Sequence, residues 1–168
     1  MTSKKSPKVF VVIPAYCESK TIEDVVKGVR QKIPNVIVVD DGSDDNTGRL
    51  AKKVGATVIV HKKKLGYEIS ISDGFKKAAQ SGAAIIITFD ADGQCKPEEL
   101  HKFLDPILQK KADVVCGVRS SKAHFGACWR GTCWIRRRIS SPAESSFSFR
   151  FSCASKQGTR HHAVKRRC

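Results

Sequence analysis

Two aspartates one residue apart follow an apolar run of the chain. Asp90 and Asp92 come just after the run 83–87, and Gln94 follows two residues later. If an extended strand continues through these positions, residues i and i+2 point to the same side, and the three side chains converge. Carboxylate and amide oxygens suit Mg²⁺ or Mn²⁺, which keep positions open for phosphate groups. The segment therefore predicts a metal site, with an ordinary polar turn as the alternative.

Length and charge restrict the classes of protein to consider. The 168 residues suit one domain, and the net charge of +15 is uneven. Residues 1–119 have a balance of +5, whereas residues 120–168 hold 11 basic residues and one acidic residue. No run is long enough for a membrane span and no signal peptide is recognisable, so we expect a cytoplasmic protein. The spacing of the seven cysteines favours neither a disulfide framework nor a zinc site.

Strand and helix patterns alternate through residues 8–119. Short β-branched or apolar runs predict strands at 9–13, 36–39, 57–60, 84–89 and 113–118. Apolar residues at helical spacing predict helices at 22–33, 46–54, 69–80 and from 97 to about 108. We expect Pro14 to close the first strand and Thr21 to cap the first helix. Buried strands joined by helices predict a mostly parallel sheet in a three-layer α/β domain.

Polar segments follow three of these strands, at 14–18, 40–43 and 90–94. Ligands of such sheets bind outside the carboxyl ends of the strands, so the three segments predict one pocket for a metal and a nucleotide. Asp45 and Ser43 are expected to be turn and cap residues. His61 is expected at the surface, and the lysines at 62–64 are expected to be solvated, with steering of an anionic ligand as the alternative.

At these positions the chain resembles the family 2 glycosyltransferases of GT-A fold, most of all the dolichyl- or polyprenyl-phosphate sugar synthases. The matching segments are VVIPAYCE at 11–18, VVDDGSDDNT at 38–47, DGFKKA at 73–78, FDADGQ at 89–94 and DVVCGVR at 113–119. The resemblance implies a nucleotide-sugar-binding GT-A domain, with a three-layer α/β/α arrangement, over residues 8–119. Residues 120–168 are expected to be a basic tail rich in Cys, Ser and Arg rather than an independent domain.

The resemblance implies substrate contacts for five residues of the predicted pocket. Pro14, Tyr16 and Glu18 would line the nucleotide pocket from the loop after the first strand. Asp41 would form a hydrogen bond with the base or ribose, and Ala91 would also contact the substrate. Pro14 has an alternative role as a simple strand end, and Tyr16 and Glu18 as ordinary loop residues.

The resemblance also implies a metal and two catalytic residues. Asp90, Asp92 and Gln94 would hold Mg²⁺ or Mn²⁺ against the diphosphate of the donor. Asp92 and Arg119 are the predicted catalytic residues, with Arg119 facing the phosphates of the donor or the acceptor. A departing nucleoside diphosphate gains negative charge, which a divalent cation stabilises as a Lewis acid.

The chain departs from the family pattern at three places. Cys17 replaces an asparagine, which would remove amide hydrogen bonds beside Glu18. Val118 replaces a small serine before the arginine. From about Ser120 the family-like sequence ends, and residues 123–168 show neither a helical nor a strand period. We interpret this tail as an out-of-frame or otherwise aberrant terminus.

The leading hypothesis is a transferase that moves a sugar from a nucleotide-diphosphate sugar to polyprenyl or dolichyl phosphate, at the cytoplasmic face of a membrane. One alternative is an incomplete fragment that binds the nucleotide sugar without turnover. Another is a basic protein that binds nucleic acid or anionic lipid through residues 120–168. Among these partners, namely the nucleotide sugar, the lipid phosphate, anionic lipid and nucleic acid, we do not expect the chain to bind nucleic acid.

Overall fold

A mixed six-stranded sheet forms the middle of the protein. The computed structural model describes residues 6–116 and the strand at 134–137. The strands are β1 (Val9–Ala15), β2 (Val36–Asp40), β3 (Thr57–Val60), β4 (Ile85–Thr88), β5 (Val114–Cys116) and β6 (Trp134–Arg137). The helices are α1 (Ile22–Lys32), α2 (Thr47–Lys53), α3 (Tyr67–Gln80) and α4 (Leu100–Leu108), and a 3₁₀ turn (Pro97–Glu99) precedes α4.

The strand order is β3-β2-β1-β4-β6-β5. The first four strands are parallel, with Val12 opposite both Ile37 and Thr88. Strand β6 lies antiparallel between β4 and β5. The predicted α/β fold with a mostly parallel sheet is confirmed. The sequence showed no strand pattern after residue 123, but residues 134–137 form strand β6, so that expectation was wrong for them. The rest of the predicted tail lies outside the described residues.

Alternate residues of β1 point to different layers, as the pleat of a strand requires. Val11 and Ile13 pack against one helical face made by α1, α2 and α4. Phe10 and Val12 pack on the other side of the sheet, against α3. The apolar face predicted for α1 is confirmed, because Ile22, Val25, Val26, Val29 and Ile33 are all buried. The molecule therefore has the three layers that the sequence predicts.

Several boundaries differ from the prediction. Pro14 does not close β1 but lies buried inside it, opposite Val39, since an extended backbone accommodates the fixed φ of proline. Helix α3 begins at Tyr67, because Gly66 at φ 102° ends the preceding loop two residues earlier than expected. The apolar spacing of 100–108 predicts a buried face that includes Leu100, Ile107 and Leu108, but Leu108 is exposed, since it lies about 100° around the helix from buried Ile107.

None of the helices within the described residues is both long and apolar enough to cross a membrane.

Candidate functional site

Two loops at the carboxyl edge of the sheet are joined to each other by side-chain hydroxyls. The amide of Cys17, after β1, donates to Ser43 Oγ at 2.9 Å. The amide of Glu18 donates to Thr47 Oγ1 at 2.9 Å. Ser43 and Thr47 follow β2, and their hydroxyls accept hydrogen bonds from backbone amides that follow the neighbouring strand β1. The loops after β1 and β2 form one continuous wall.

Asp45 strengthens the same connection. Its carboxylate accepts from the amide of Ser19 at 3.1 Å and from the amide of Thr47 at 2.9 Å, and the Thr47 hydroxyl also contacts it. Desolvation by itself would raise the pKa of Asp45, but the hydrogen bonds from Thr47 and Ser19 outweigh it and lower this pKa to about 2. The predicted role of Asp45 as a turn residue is confirmed, and its carboxylate binds the first amide of α2, although Asn46 occupies the cap position itself.

Thr21 fastens the loop after β4 to the same wall. Its hydroxyl donates to the carbonyl of Ala91 at 2.8 Å and lies 3.2 Å from Glu18 Oε2. The prediction that Thr21 caps α1 was wrong, since its side chain makes no capping bond and points to Ala91 instead. Ala91 is buried. Three loops that are distant in sequence are therefore tied together.

The predicted metal ligands lie in the loop after β4. Because β4 ends at Thr88 and residues 91–92 form a turn, the strand-parity argument for Asp90 and Asp92 does not apply. Both aspartates are half-buried, and Asp92 Oδ1 accepts from the amide of Gln94 at 2.9 Å. Among the described residues, no three Asp, Glu, His or Cys side chains are grouped to hold a metal. The donor set here is two carboxylates and one exposed amide.

Asp41 is buried and fixes a fourth loop. Its carboxylate is 2.9 Å from His61 Nδ1 and accepts from the amides of Leu65 and Gly66, both at 2.8 Å. Burial would raise the pKa of Asp41, but the hydrogen bonds from these partners together lower it. Asp41 therefore holds the loop between β3 and α3.

His61 is part of this arrangement, although it was predicted at the surface. Its side chain is buried, and its Nε2 lies 3.4 Å from Asp73 Oδ2 on α3. Both ring nitrogens lie near carboxylate oxygens, but Nε2 is buried and makes no hydrogen bond within the described residues. The position of His61 could have indicated this role, because it directly follows β3 and so lies at the same edge of the sheet as the other loops.

The β3–α3 loop also reaches the first strand's loop. Lys64 Nζ lies 3.7 Å from the centroid of the Tyr16 ring, a cation–π contact at the rim of the wall. Gly42, at φ 74°, sits under this loop, and a Cβ there would collide with the backbone of Lys63. Lys64 is thus engaged with Tyr16, a contact that neither the expected solvation of the three lysines nor the alternative of ligand steering included.

The predicted site residues are distributed as follows. Pro14 lies inside β1 near its carboxyl end, and the residues placed on the loops of this edge are Tyr16, Glu18, Asp41, Asp90, Ala91, Asp92 and Gln94. Arg119 lies outside the described residues. The predicted loss of hydrogen bonding at Cys17 is offset in part, because its thiol lies 3.3 Å from Asp44 Oδ1.

Known proteins resemble this chain in sequence. The sequence profile of glycosyl transferase family 2 matches residues 10–164. The UDP-N-acetylglucosamine–dolichyl-phosphate N-acetylglucosaminyltransferase of Methanococcus voltae is 34% identical over 129 residues, covering 66% of this chain and 51% of that protein. The polyprenol monophosphomannose synthase of Mycolicibacterium smegmatis is 31% identical over 156 residues, covering 88% and 57%. The chain spans about half the length of these curated relatives.

A solved structure resembles the chain in fold. Glucosyl-3-phosphoglycerate synthase from Mycobacterium tuberculosis, in complex with Mn²⁺, UDP-glucose and phosphoglyceric acid, superposes with a TM-score of 0.55 at 23% identity. The superposition covers 66% of this chain and 43% of that one, and it supports the GT-A fold. The profile match over residues 10–164, together with the relative that is 31% identical over 88% of this chain, means that the chain belongs to glycosyl transferase family 2.

Proposed function

We propose that this chain is a glycosyltransferase that transfers a sugar from a nucleotide-diphosphate sugar to polyprenyl or dolichyl phosphate. The observation that carries the proposal is the tied sheet edge, where Thr21 fastens the Asp90–Asp92 loop to the wall built after β1 and β2. A wall of this kind offers a nucleotide a fixed surface beside two carboxylates. The relatives named above act, by their names, on dolichyl phosphate or make a polyprenol phosphosugar.

The nucleotide would lie along the loops after β1 and β2. Exposed Tyr16 offers an aromatic face, and half-buried Glu18 offers a carboxylate beside it. Pro14 and Ala91 are buried and would shape the floor. Asp41 already accepts three hydrogen bonds, so its carboxylate has room for about one more, from a base or ribose. In this proposal Asp41 acts chiefly by holding the wall in place.

The loop after β4 fits a hard divalent cation, because its candidate donors are all oxygen atoms. Asp90, Asp92 and Gln94 would hold Mg²⁺ or Mn²⁺, and the solved neighbour has been crystallised with each of these ions. Two carboxylates suffice, since Mg²⁺ is usually held by one or two of them together with substrate phosphates. The bound metal would stabilise the charge that develops on the departing nucleoside diphosphate.

The acceptor would supply the nucleophile itself. A phosphate oxygen is already ionised at neutral pH, so transfer to it does not depend on a strong general base. The chain's task is then to position the donor's sugar carbon against that oxygen. We propose that Arg119 faces these phosphates and that the reaction takes place at the cytoplasmic face of a membrane.

Titration calorimetry of UDP and GDP, with and without Mn²⁺, tests the metal assignment. We expect Asp92→Ala to abolish the Mn²⁺-dependent part of nucleotide binding, because one of two carboxylate ligands is lost. Asp105→Ala is the matched control, since Asp105 is an exposed aspartate on α4. Equal binding by the parent and Asp92→Ala would show that the metal assignment is wrong.

A transfer assay separates the leading function from its alternative. The full chain is incubated with Mn²⁺, a panel of nucleotide sugars and short polyprenyl phosphates, and glycolipid product is measured. Product that disappears in Asp92→Ala but not in Asp105→Ala supports the transferase. Nucleotide binding by the parent without product from any donor supports a binding fragment.

A further inference from the structure

A cavity lies between helix α1 and the end of helix α2. Its volume is about 580 Å³, which is within the range of roughly 300–1,000 Å³ that is usual for cavities that hold small ligands. None of its lining residues belongs to the candidate site described above. The lining residues are Glu23, Lys27, Arg30, Lys53, Val54 and Gly55.

The lining residues of α1 form one stripe of that helix. Glu23, Lys27 and Arg30 are spaced i, i+4 and i+7, so their side chains lie on the same side of the helix. The end of α2 supplies the other wall of the cavity, since Lys53 is its last residue. Lys53 Nζ lies 3.3 Å from Glu23 Oε1, and this ion pair joins the two walls. The cavity is therefore one shared surface of two neighbouring helices.

Positive charge exceeds negative charge in this cavity. Glu23 is the only acidic lining residue, and its Oε1 atom is shared by Lys27 Nζ at 3.8 Å and Lys53 Nζ at 3.3 Å. Arg30 forms no ion pair with any described residue, and its Nη1 donates to the carbonyl of Val54 at 2.6 Å. Three cationic side chains thus line the cavity beside one carboxylate, which leaves an excess of two positive charges.

The Arg30 guanidinium is fixed at the wall of the cavity. The group lies against Gly55, where φ is 86° and where a Cβ would collide with Nη1. Its Nε is buried and has no hydrogen-bond partner among the described residues. A neutral carbonyl is thus the only acceptor that this cation has in the described part of the chain. Because the side chain is half-buried, its charge is only partly solvated and would be stabilised by an anion beside it.

We propose that this cavity binds a small anion that carries a phosphate group. A phosphate monoester has a charge of about −1.5 to −2 at neutral pH, which would balance the excess of positive charge. Arginine and lysine are the side chains that proteins use to bind phosphate. Val54 and the lysine stems offer apolar contact to the rest of such a molecule. Soluble phosphate compounds and lipid headgroups share this chemistry, and the site is independent of the proposed sugar transfer.

A titration of the full chain with inorganic phosphate, followed by amide NMR at constant ionic strength, tests the proposal. The amides of Val54 and Gly55 report on the cavity itself, so phosphate bound by the basic residues of 120–168 does not interfere. We expect saturable shifts of both signals. K27Q/K53Q should bind phosphate at least about ten-fold more weakly, because an ammonium about 4 Å from the anion contributes about five-fold even in water.

K76Q/K102Q is the matched control for the loss of two lysines. Lys76 and Lys102 are also helical lysines that pair with a carboxylate, and their side chains are 66% and 60% exposed. The corresponding values are 56% for Lys27 and 70% for Lys53. Both variants therefore lose the same net charge from similar positions. We expect the control to bind phosphate within about two-fold of the parent, since charges far from the cavity are screened by salt.

A third variant should change the affinity in the opposite direction. E23Q removes the carboxylate that the two lysines share and keeps its shape, so we expect phosphate to bind about five-fold more tightly. E68Q is its control, because Glu68 is likewise an acidic residue in the first turn of a helix but does not line the cavity. Thermal unfolding verifies that all variants are folded.

Vesicles that contain phosphatidic acid distinguish the two sources of phosphate. If the amide shifts occur and vesicle co-sedimentation is lost in K27Q/K53Q but not in K76Q/K102Q, the ligand is a lipid headgroup. If the amide shifts occur and co-sedimentation does not differ between these variants, the ligand is a soluble phosphate compound. The proposal is overturned if phosphate leaves the amides of Val54 and Gly55 unshifted, or if K27Q/K53Q and E23Q bind it like the parent.

Discussion

Asp41 is the residue on which most of the candidate site depends. Replacing it with alanine leaves His61 Nδ1 and the amides of Leu65 and Gly66 without their acceptor. Unpaired buried donors are costly, so we expect Asp41→Ala to lower the free energy of unfolding by about 2–4 kcal/mol. Nucleotide binding should weaken even without metal, because the wall beside Tyr16 loosens. Urea denaturation and calorimetry measure the two effects.

Asp44→Ala is the control for that prediction, since Asp44 is an exposed aspartate in the same loop. We expect its free energy of unfolding to stay within about 0.5 kcal/mol of the parent, as for most surface substitutions. Equal effects of the two substitutions would contradict the role assigned to buried Asp41.

Asp45 should make stability depend on pH in the acid range. Its folded-state pKa is about 2, below the ordinary value of 3.8, so its contribution is complete above 3.8 and is lost as pH falls toward 2. At neutral pH we expect Asp45→Ala to cost about 0.5–2 kcal/mol, as for the loss of a helix cap. The difference from the parent should narrow between pH 4 and about 2. Urea denaturation at several pH values measures it, and a constant difference would refute the assignment.

Among the secondary-structure elements, α3 lies unusually close to the sheet. Gly74 faces β1 and β2, and a Cβ there would collide with Val12 Cγ1 and come within 3.2 Å of Val39 Cγ2. Alanine normally favours a helix over glycine by about 1 kcal/mol. We expect the collision to outweigh this gain, so that Gly74→Ala lowers the free energy of unfolding by about 1–3 kcal/mol. Denaturation in urea measures it.

Ser72→Ala on the exposed side of the same helix is the matched control. It changes helix propensity without adding volume to the core, so we expect stability equal to or slightly above that of the parent. A stabilised Gly74→Ala protein would mean that α3 can move away from the sheet at little cost.

Sequence patterns predicted the elements well where the pattern is local. The face of α1 and the strand Thr57–Val60 were evident from spacing and from β-branched residues. The hydrogen bonds that join the loops of the site were not evident from the sequence. The Thr21 hydroxyl, for example, donates to the carbonyl of Ala91, 70 residues away. No local pattern encodes such a partner. The strand-end position of Asp90 and Asp92 was evident, but the turn that replaces the strand there was not.

Strand β6 closes the sheet from a part of the sequence that gave no strand signal. It pairs with β4 on one side and β5 on the other, with Ile135 opposite Ile87 and Val115. Residues 134–137 are therefore recognised as a strand from their pairing with β4 and β5, and not from a strand pattern in their own sequence. A strand between two neighbours uses its backbone groups on both sides, so β5 is joined to the four parallel strands only through β6 in the described part of the chain.

Ile135→Pro tests this dependence. Proline removes an amide donor in the middle of a sheet, and we expect a loss of about 1–3 kcal/mol in the free energy of unfolding. Thr57→Pro is the control, because Thr57 is the first residue of the outer strand β3, where proline is better tolerated. Hydrogen exchange at the β4 amides should accelerate in the first variant only. Unchanged exchange there would show that β6 does not hold the sheet.

The hydroxyl ties at the sheet edge have a kinetic consequence. The ties made by Ser43, Thr47 and Thr21 use only groups of the chain itself, so we expect them to form without a ligand and to leave a nucleotide little backbone to order. Binding followed by stopped flow should then be a single exponential whose rate rises linearly with nucleotide concentration. A rate that levels off at high concentration would reveal a slow rearrangement before or after encounter. The molecule would thus exchange its nucleotide at a speed set by diffusion and release, without waiting for its loops to form.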